Sequence, residues 1–441
     1  MTFTTETDKT GESDTSDNSS VPLTQSSAFG SDHSWTALQK AAQGIASAWH
    51  IVAKELSQKN LDEFNSNCHQ LLAECGRWCH KVTGHPCDPC LFGDITELLA
   101  SPWLRDGMTY AEKLASGRAT RMVDTMACKL HGANCSIRKR PVFDVSGLPC
   151  PDMSQAGKRL KRDGPTNGVY IAHGRWVTDN QTPLLLVECT PALDMGMLED
   201  THPDHDFYQL FSEPADVGFS GLARSRTWVI GSHRDRGTCL YDPFDLQRML
   251  STAFQKHISA NVHDFLVASR TEIQMEAYER ASRKGTGYQL GQADLQYLLN
   301  DRENSCRQAL DAKYLDRYKQ LPWQNPNLVY YLGDSDTYCT WSACTSKIPT
   351  YRLGARSAVY WLPSQKRWLT AKERLCSMGY PCIPEIAEAM KVPTMGATDV
   401  RRAADICGNS MHFTTCGIMQ LIALACFGPK DVSRHISTHC C

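Results

Sequence analysis

The chain contains no apolar stretch long enough to cross a bilayer. Its longest apolar run, Ile418 to Phe427, is interrupted by Gln420, whereas a spanning helix needs about 20 apolar residues. The N-terminus has neither a basic start nor an apolar run, so no secretory signal is expected. Net charge is almost absent, with 46 Lys and Arg against 48 Asp and Glu giving −2 over 441 residues. That balance excludes a molecule-wide field that would steer the protein to a polyanion. No internal repeat is visible. Together these absences predict a soluble, intracellular protein with no membrane partner.

Large apolar residues are also scarce in residues 1–30, which carry five acidic groups and one lysine among many Ser and Thr. Such a segment cannot bury enough surface to offset the entropy of ordering, so it is expected to be a disordered tail. What remains is long enough for two to three domain-sized units, or one α/β domain with a large insertion. Cysteine, by contrast, is abundant at 20 residues. Without a secretory signal the default is reduced thiols rather than a disulfide framework. Residues 68–90 hold a Cys/His cluster, and Cys87-Asp-Pro-Cys90 has the CxxC spacing of a zinc knuckle. Cys75 with Cys79 or His80 could supply a second pair. The spacings fit no standard finger, and no metal is assigned.

The most informative stretch is Pro141-Val-Phe-Asp-Val-Ser-Gly-Leu-Pro-Cys150-Pro151. An apolar strand runs into a Gly-Leu-Pro turn and then a cysteine. Proline on each side restricts the backbone and holds the thiol in one direction. Thr182-Pro-Leu-Leu-Leu-Val-Glu188-Cys189 reads as a second buried strand that ends in a carboxylate. If the two strands are parallel neighbours, thiol and carboxylate share the C-terminal edge of the sheet, where open α/β sheets place their chemistry. The loop after Cys150 is basic, with Lys158, Arg159, Lys161 and Arg162, and has Gly157 and Gly164 as candidate hinges.

These residues resemble the cytosine-C5 DNA methyltransferase family. Pro149-Cys150 with the following Ser154-Gln-Ala-Gly resembles its Pro-Cys-Gln-x-Phe-Ser motif, and Val187-Glu188-Cys189 its Glu-Asn-Val motif. Arg224-Ser-Arg226 resembles its Gln-x-Arg-x-Arg strand, and Phe92-Gly93-Asp94-Ile95 its Gly-Asp-Ile cofactor motif. Leu369-Thr-Ala-Lys-Glu-Arg-Leu resembles its Leu-Thr-x-Arg-Glu segment, and Gly408-Asn409 the Gly-Asn of its final helix. The matches keep the family's order over about residues 90 to 428. Pro151, Cys189 and Leu222 replace family residues, while the reacting groups remain.

The resemblance implies an α/β fold. Its sheet is mostly parallel and doubly wound, of the S-adenosylmethionine-dependent methyltransferase type, with a smaller inserted target-recognition domain. The expected division is 1–30 tail, 31–237 methyltransferase domain, 238–365 insertion, 366–430 return segment and 431–441 tail. It also implies methyl transfer from S-adenosylmethionine to C5 of cytosine in DNA, through a covalent Cys150 adduct on a flipped-out base. Glu188 would act on the ring, with a pKa raised by its apolar strand, and Arg224 and Arg226 would orient it or the base. Phe29, Gly30, Glu55, Asp94, Ile95 and Asn409 are the implied cofactor residues. Gly30 stands alone where the family has two or three glycines. Ser154, Lys158, Arg159, Lys161 and Arg162 are the implied nucleic-acid contacts. Two alternatives stay open: the same reaction on RNA, and an inactive scaffold of the same fold. A nuclear location follows only from a DNA substrate.

Overall fold

The computed structural model describes residues 90–430, apart from 138–140, 155–156, 158, 338–343, 353–358 and 391. The acidic tail, most of the 68–90 cluster, Phe29, Gly30, Glu55 and Lys158 lie outside the described residues.

The described residues open with a 3-10 turn at Ile95–Leu98, helix α1 (Tyr110–Ala119) and a hairpin of β1 (Thr125–Cys128) with β2 (Ala133–Ser136). There follow β3 (Phe143–Gly147), α2 (Asn167–Asn180), β4 (Leu184–Cys189), α3 (Met195–Thr201), β5 (His205–Ser212), β6 (Arg226–His233) and β7 (Gly237–Cys239). A helical stretch comes next, with α4 (Pro243–His257), α5 (Arg270–Lys284) and α6 (Asp301–Tyr318). Short strands β8 (Val329–Tyr331), β9 (Cys344–Thr345), β10 (Tyr360–Leu362) and β11 (Arg367–Trp368) precede α7 (Ala371–Ser377) and α8 (Pro384–Ala389). The described chain ends with α9 (Val400–Asn409), α10 (Phe413–Cys426) and β12 (Phe427–Pro429).

The central sheet has the order β3-β4-β6-β5. β3 and β4 are parallel, and β6 is antiparallel to both β4 and β5. Three of the four strands therefore run in one direction, with the reversed β6 between two of them. All six residues of β4 are buried, as a strand covered on both faces requires. Tyr170 of α2 and Met197 and Leu198 of α3 pack on one face. Met419, Ile422 and Cys426 of α10, with Leu246 and Leu250 of α4, cover the other. This is the expected α/β architecture with helices on both faces.

A second apolar cluster gathers Leu222, Val262, Leu310, Tyr330, Tyr360, Leu375 and Ile406 around the sheet β11-β10-β8-β9. Its membership runs through Leu369, Tyr380 and Cys407, and packing returns to the first sheet at Met411. The Leu369–Tyr380 segment thus packs into this second cluster. Thr370 and Glu373 form a capping box at the start of α7. Glu373 is fully buried and bidentate with Arg367, at 2.8 Å on each arm. Helix α6 begins at Asp301 because Asn300 and Glu303 cap it reciprocally. Tyr330 and Tyr331 are core residues, whereas Trp323 is exposed.

β3 is fixed to its covering helices by a buried polar chain. Asp144 Oδ2 accepts from Ser146 Oγ and lies 3.0 Å from His173 Nε2 of α2. His173 Nδ1 is 2.8 Å from His202 Nε2. Burial holds the His202 pKa well below the usual value, with His173 and His205 adding to the shift, so its ring is neutral. All four groups are buried, so the Ser-His-Asp set positions the fold and meets no substrate. Replacing Asp144 by alanine removes the acceptor that Ser146 and His173 share and leaves Ser146 Oγ and His173 Nε2 only each other, at 2.8 Å. The expected loss is about 2–5 kcal/mol, from roughly 1–3 kcal/mol per stranded buried group, read from chemical denaturation. Asp144→Asn should lose less.

Candidate active site

β3 and β4 deliver the candidate groups to one sheet edge. Their register pairs Gly147 with Glu188, and Leu148 N–H donates to the Glu188 carbonyl at 3.2 Å. Cys150 follows in a tight turn whose carbonyl accepts from Met153 N and Ser154 N at 3.0 and 2.8 Å. Tyr170 Oη donates to the Pro149 carbonyl at 2.9 Å and holds the turn down on α2. The Cys150 thiol is part-exposed and packs beside Leu148, Met153 and Val187.

Glu188 alternates with Leu184 and Leu186 on the α10 side of β4. Its carboxylate curls back over the end of β3. A Cβ built on Gly147 would stand 3.7 Å from Glu188 Oε2 and 3.2 Å from Met411 Cε, so glycine there keeps the approach open. Arg226 Nε lies 2.8 Å from Glu188 Oε1, with side chains 14% and 11% exposed. This is a close contact of opposite charges, not an aligned hydrogen bond: among the described residues no donor is directed at that oxygen. Oε1 is itself buried against Arg226.

Arg224 directs its hydrogen bonds to backbone carbonyls. It is 4% exposed and donates to the carbonyls of Cys407, at 3.3 Å, and of Ser410, closing the C-terminal turn of α9. Burial lowers its pKa to about 10, helped by Arg226, while Glu188, Cys407 and Cys150 pull it up. The guanidinium thus feels both Cys150 and Glu188, but its hydrogen bonds go to backbone. Arg226 alone of the two arginines touches Glu188. Burial also pushes the Cys416 thiol on α10 up to about 12, with the nearby Glu188 charge adding to the rise, so this second thiol near the carboxylate stays protonated.

The loop after Cys150 is stapled where it is described. Asp152 is buried and accepts from Thr166 N and Oγ1 at 2.9 and 2.7 Å. Gly164 has φ −80° and lies so close to Asp152 that a Cβ would fall 2.1 Å from its carboxyl carbon. Gly157 stands equally close to the Pro151 carbonyl. Both glycines serve close approach, which corrects their reading as hinges. Arg159 and Lys161 are exposed, and both have positive φ. Ser154 is half-buried in the Cys150 turn. Arg162 is engaged within the protein: it grips Asp194, the N-cap of α3, at 3.0 and 3.2 Å. Arg159 and Lys161 remain as loop cations that face solvent.

The implied cofactor residues are not drawn together among the described residues. Asp94 Oδ1 accepts from Thr96 N and Oγ1 at 2.8 and 2.9 Å, capping its own 3-10 turn. Ile95 is buried in an apolar cluster with Trp103 and Ile171. Asn409 Nδ2 donates to the Asp405 carbonyl at 2.9 Å. Each of these three side chains is engaged within the protein. Sequence reading missed the part played by Gly147 and Met411 in shaping the space over Glu188. A groove of about 460 Å³ lined by Glu272, Met275, Tyr278 and Lys372 belongs to the second packing unit. Among the described residues no helix is long and apolar enough to cross a membrane.

No protein-family model matches the chain, and no curated protein matches it. Solved structures similar to it include the Dnmt2 methyltransferase of S. pombe, at 10% identity and a TM-score of 0.36, covering 79% of this chain and 86% of that one. The methyltransferase EhMeth of Entamoeba histolytica is similar at 9% identity and a TM-score of 0.36, with the same two coverages, 79% and 86%. A mutant of Spodoptera frugiperda DNMT2 is similar at 12% identity and a TM-score of 0.32, covering 80% of this chain and 97% of that one.

Proposed function

We propose that the chain methylates C5 of cytosine in DNA through a covalent Cys150 adduct. The observation that carries this reading is the Glu188–Arg226 pair at the end of β4, beside the turn that bears Cys150. Cytosine C5 is a weak nucleophile. Addition of the Cys150 sulfur at C6 converts the ring to an enamine and makes C5 nucleophilic. Glu188 relieves the charge that builds on the ring by protonating N3 and accepting from the exocyclic amine. Arg226 holds the carboxyl in place. S-adenosylmethionine is the methyl source this chemistry requires. Loss of the C5 proton and then of the sulfur frees the product. The base is reached only when flipped out of the stack, and the exposed Arg159 and Lys161 are placed to meet backbone phosphate.

The test uses an oligonucleotide carrying 5-fluorocytosine, which blocks the elimination step. With S-adenosylmethionine the full chain should form a denaturant-stable adduct on DNA. An adduct on RNA alone would move the substrate to RNA, since the thiol chemistry is the same. If neither nucleic acid is captured and no cofactor binds, the scaffold reading replaces the enzyme.

A further inference from the structure

We propose that the chain holds a structural zinc ion on Cys90, Cys128, His131 and Cys135. No metal was assigned from the sequence, where Cys90 was grouped with Cys87 and the cysteines before it. The fold gives Cys90 different neighbours. Its thiol comes against the β1–β2 hairpin, which carries Cys128 at the end of β1, His131 in the turn and Cys135 in β2. One ligand atom from each of the four residues lies within 4.8 Å of all the others.

The distances suit a tetrahedral centre. His131 Nδ1 stands 3.2 Å from Cys135 Sγ, 3.3 Å from Cys128 Sγ and 3.8 Å from Cys90 Sγ. Zinc–sulfur bonds of about 2.3 Å and zinc–nitrogen bonds of about 2.0 Å set at the tetrahedral angle separate nitrogen from sulfur by roughly 3.5 Å. One ring nitrogen cannot be hydrogen-bonded properly to three sulfurs at once, whereas a cation between them satisfies all four. All three cysteines are thiols and not half-cystines. Three sulfurs and one imidazole select zinc over the hard cations, and four protein ligands close the site as structural zinc requires.

Two further observations point the same way. Leu91 N–H donates to Cys128 Sγ at 3.2 Å, and Lys129 N–H donates back to the Leu91 carbonyl at 2.7 Å. A backbone donor on sulfur is the outer support a thiolate ligand needs. The hairpin itself has little to hold it, because its strands are four residues long and β2 is mostly exposed. A two-stranded hairpin is marginal alone, and a metal staple supplies what the missing core does not. The ion would tie the chain at Cys90 to the hairpin, next to the 3-10 turn that packs on α2.

Metal content tests this independently of methyl transfer. Full-length protein purified from zinc-supplemented medium without chelator should carry a single equivalent of zinc. Exchange for cobalt should give the intense visible bands and sulfur-to-cobalt charge transfer of a tetrahedral thiolate site. Cys128→Ser should lose the ion to a chelator that spares the wild type, and Cys239→Ser should keep it. Because Cys128→Ser could fail to fold, Cys135→His serves as the second variant. It should keep the ion and lose about a third of the charge-transfer intensity, as three thiolates become two. The proposal is overturned if the reconstituted wild type holds no zinc or shows no thiolate charge transfer. It is equally overturned if both variants bind and absorb as the wild type does.

Discussion

Replacement of Cys150 by serine is expected to abolish the denaturant-stable adduct with 5-fluorocytosine DNA. Turnover should fall by a factor on the order of 10⁴ or more, about 5.5 kcal/mol of transition-state stabilisation. The reason lies in the nucleophile. A thiol is partly ionised near neutral pH and its sulfur adds readily to a polarised ring, whereas a serine hydroxyl needs a strong adjacent base. Arg224 is a buried cation bonded to backbone and Glu188 is paired with Arg226, so a serine hydroxyl gains no strong base from either. The fold should tolerate the change, because Cys150 is part-exposed and serine is close to it in size. A shift in unfolding free energy under about 1 kcal/mol is expected for such a site. Cys189→Ser is the control. Cys189 is the next residue after Glu188, but it is buried and its sulfur lies 3.5 Å from Tyr170 Oη on the α2 face. It should still form the adduct. If Cys189→Ser abolishes capture and Cys150→Ser does not, the nucleophile has been misassigned.

What the sequence could disclose depended on how local the signal was. The β3 and β4 strands were legible because apolar residues dominate both, alternating with Asp144 and Ser146 in β3 and continuous over Leu184–Val187 in β4, and each is closed by a Pro or Gly turn. Their parallel pairing follows from the length of the α2 crossover between them. Cys150 and Glu188 were legible for the same reason, since each closes one of those runs. The reversed β6 between β4 and β5 was not, because it is specified by cross-strand packing and not by any feature of Arg226–His233 alone. Arg224 and Arg226 look alike in sequence, two residues apart on one segment. The difference is which neighbour each meets: the carbonyl end of α9 for one, the carboxylate for the other. The Leu369–Tyr380 match was legible as a pattern and silent about its work. In the fold its Thr370 and Glu373 begin a helix and bury an ion pair in the second cluster. Cys90 shows the limit most plainly. Reading by spacing joined it to the cysteines before it, whereas the chain folds it onto a hairpin beyond α1.

Glu188→Gln is expected to slow adduct formation by about 10²–10⁴-fold, which is roughly 3–5 kcal/mol. Glutamine keeps the size of the side chain and one acceptor oxygen, but it cannot deliver a proton to the ring nitrogen. The carboxyl sits over Gly147 with Arg226 at 2.8 Å and one oxygen to which no described donor is directed. That geometry admits a second account, in which Glu188 merely neutralises Arg226. The two accounts separate on what accompanies the rate. As a counter-ion only, Glu188→Gln would leave a nearly buried guanidinium without its charge partner. It would then lower the unfolding free energy by about 3–5 kcal/mol while the folded fraction captured the base at the wild-type rate. As the group acting on the ring, it should lose capture by two orders of magnitude or more, with the loss persisting where the variant is fully folded. Arg226→Gln completes the comparison. It keeps the carboxyl and frees its position, so capture should fall by less than in Glu188→Gln, and the double variant should be no slower than Glu188→Gln alone. Full additivity of the two losses would mean that Arg226 meets the base independently of Glu188.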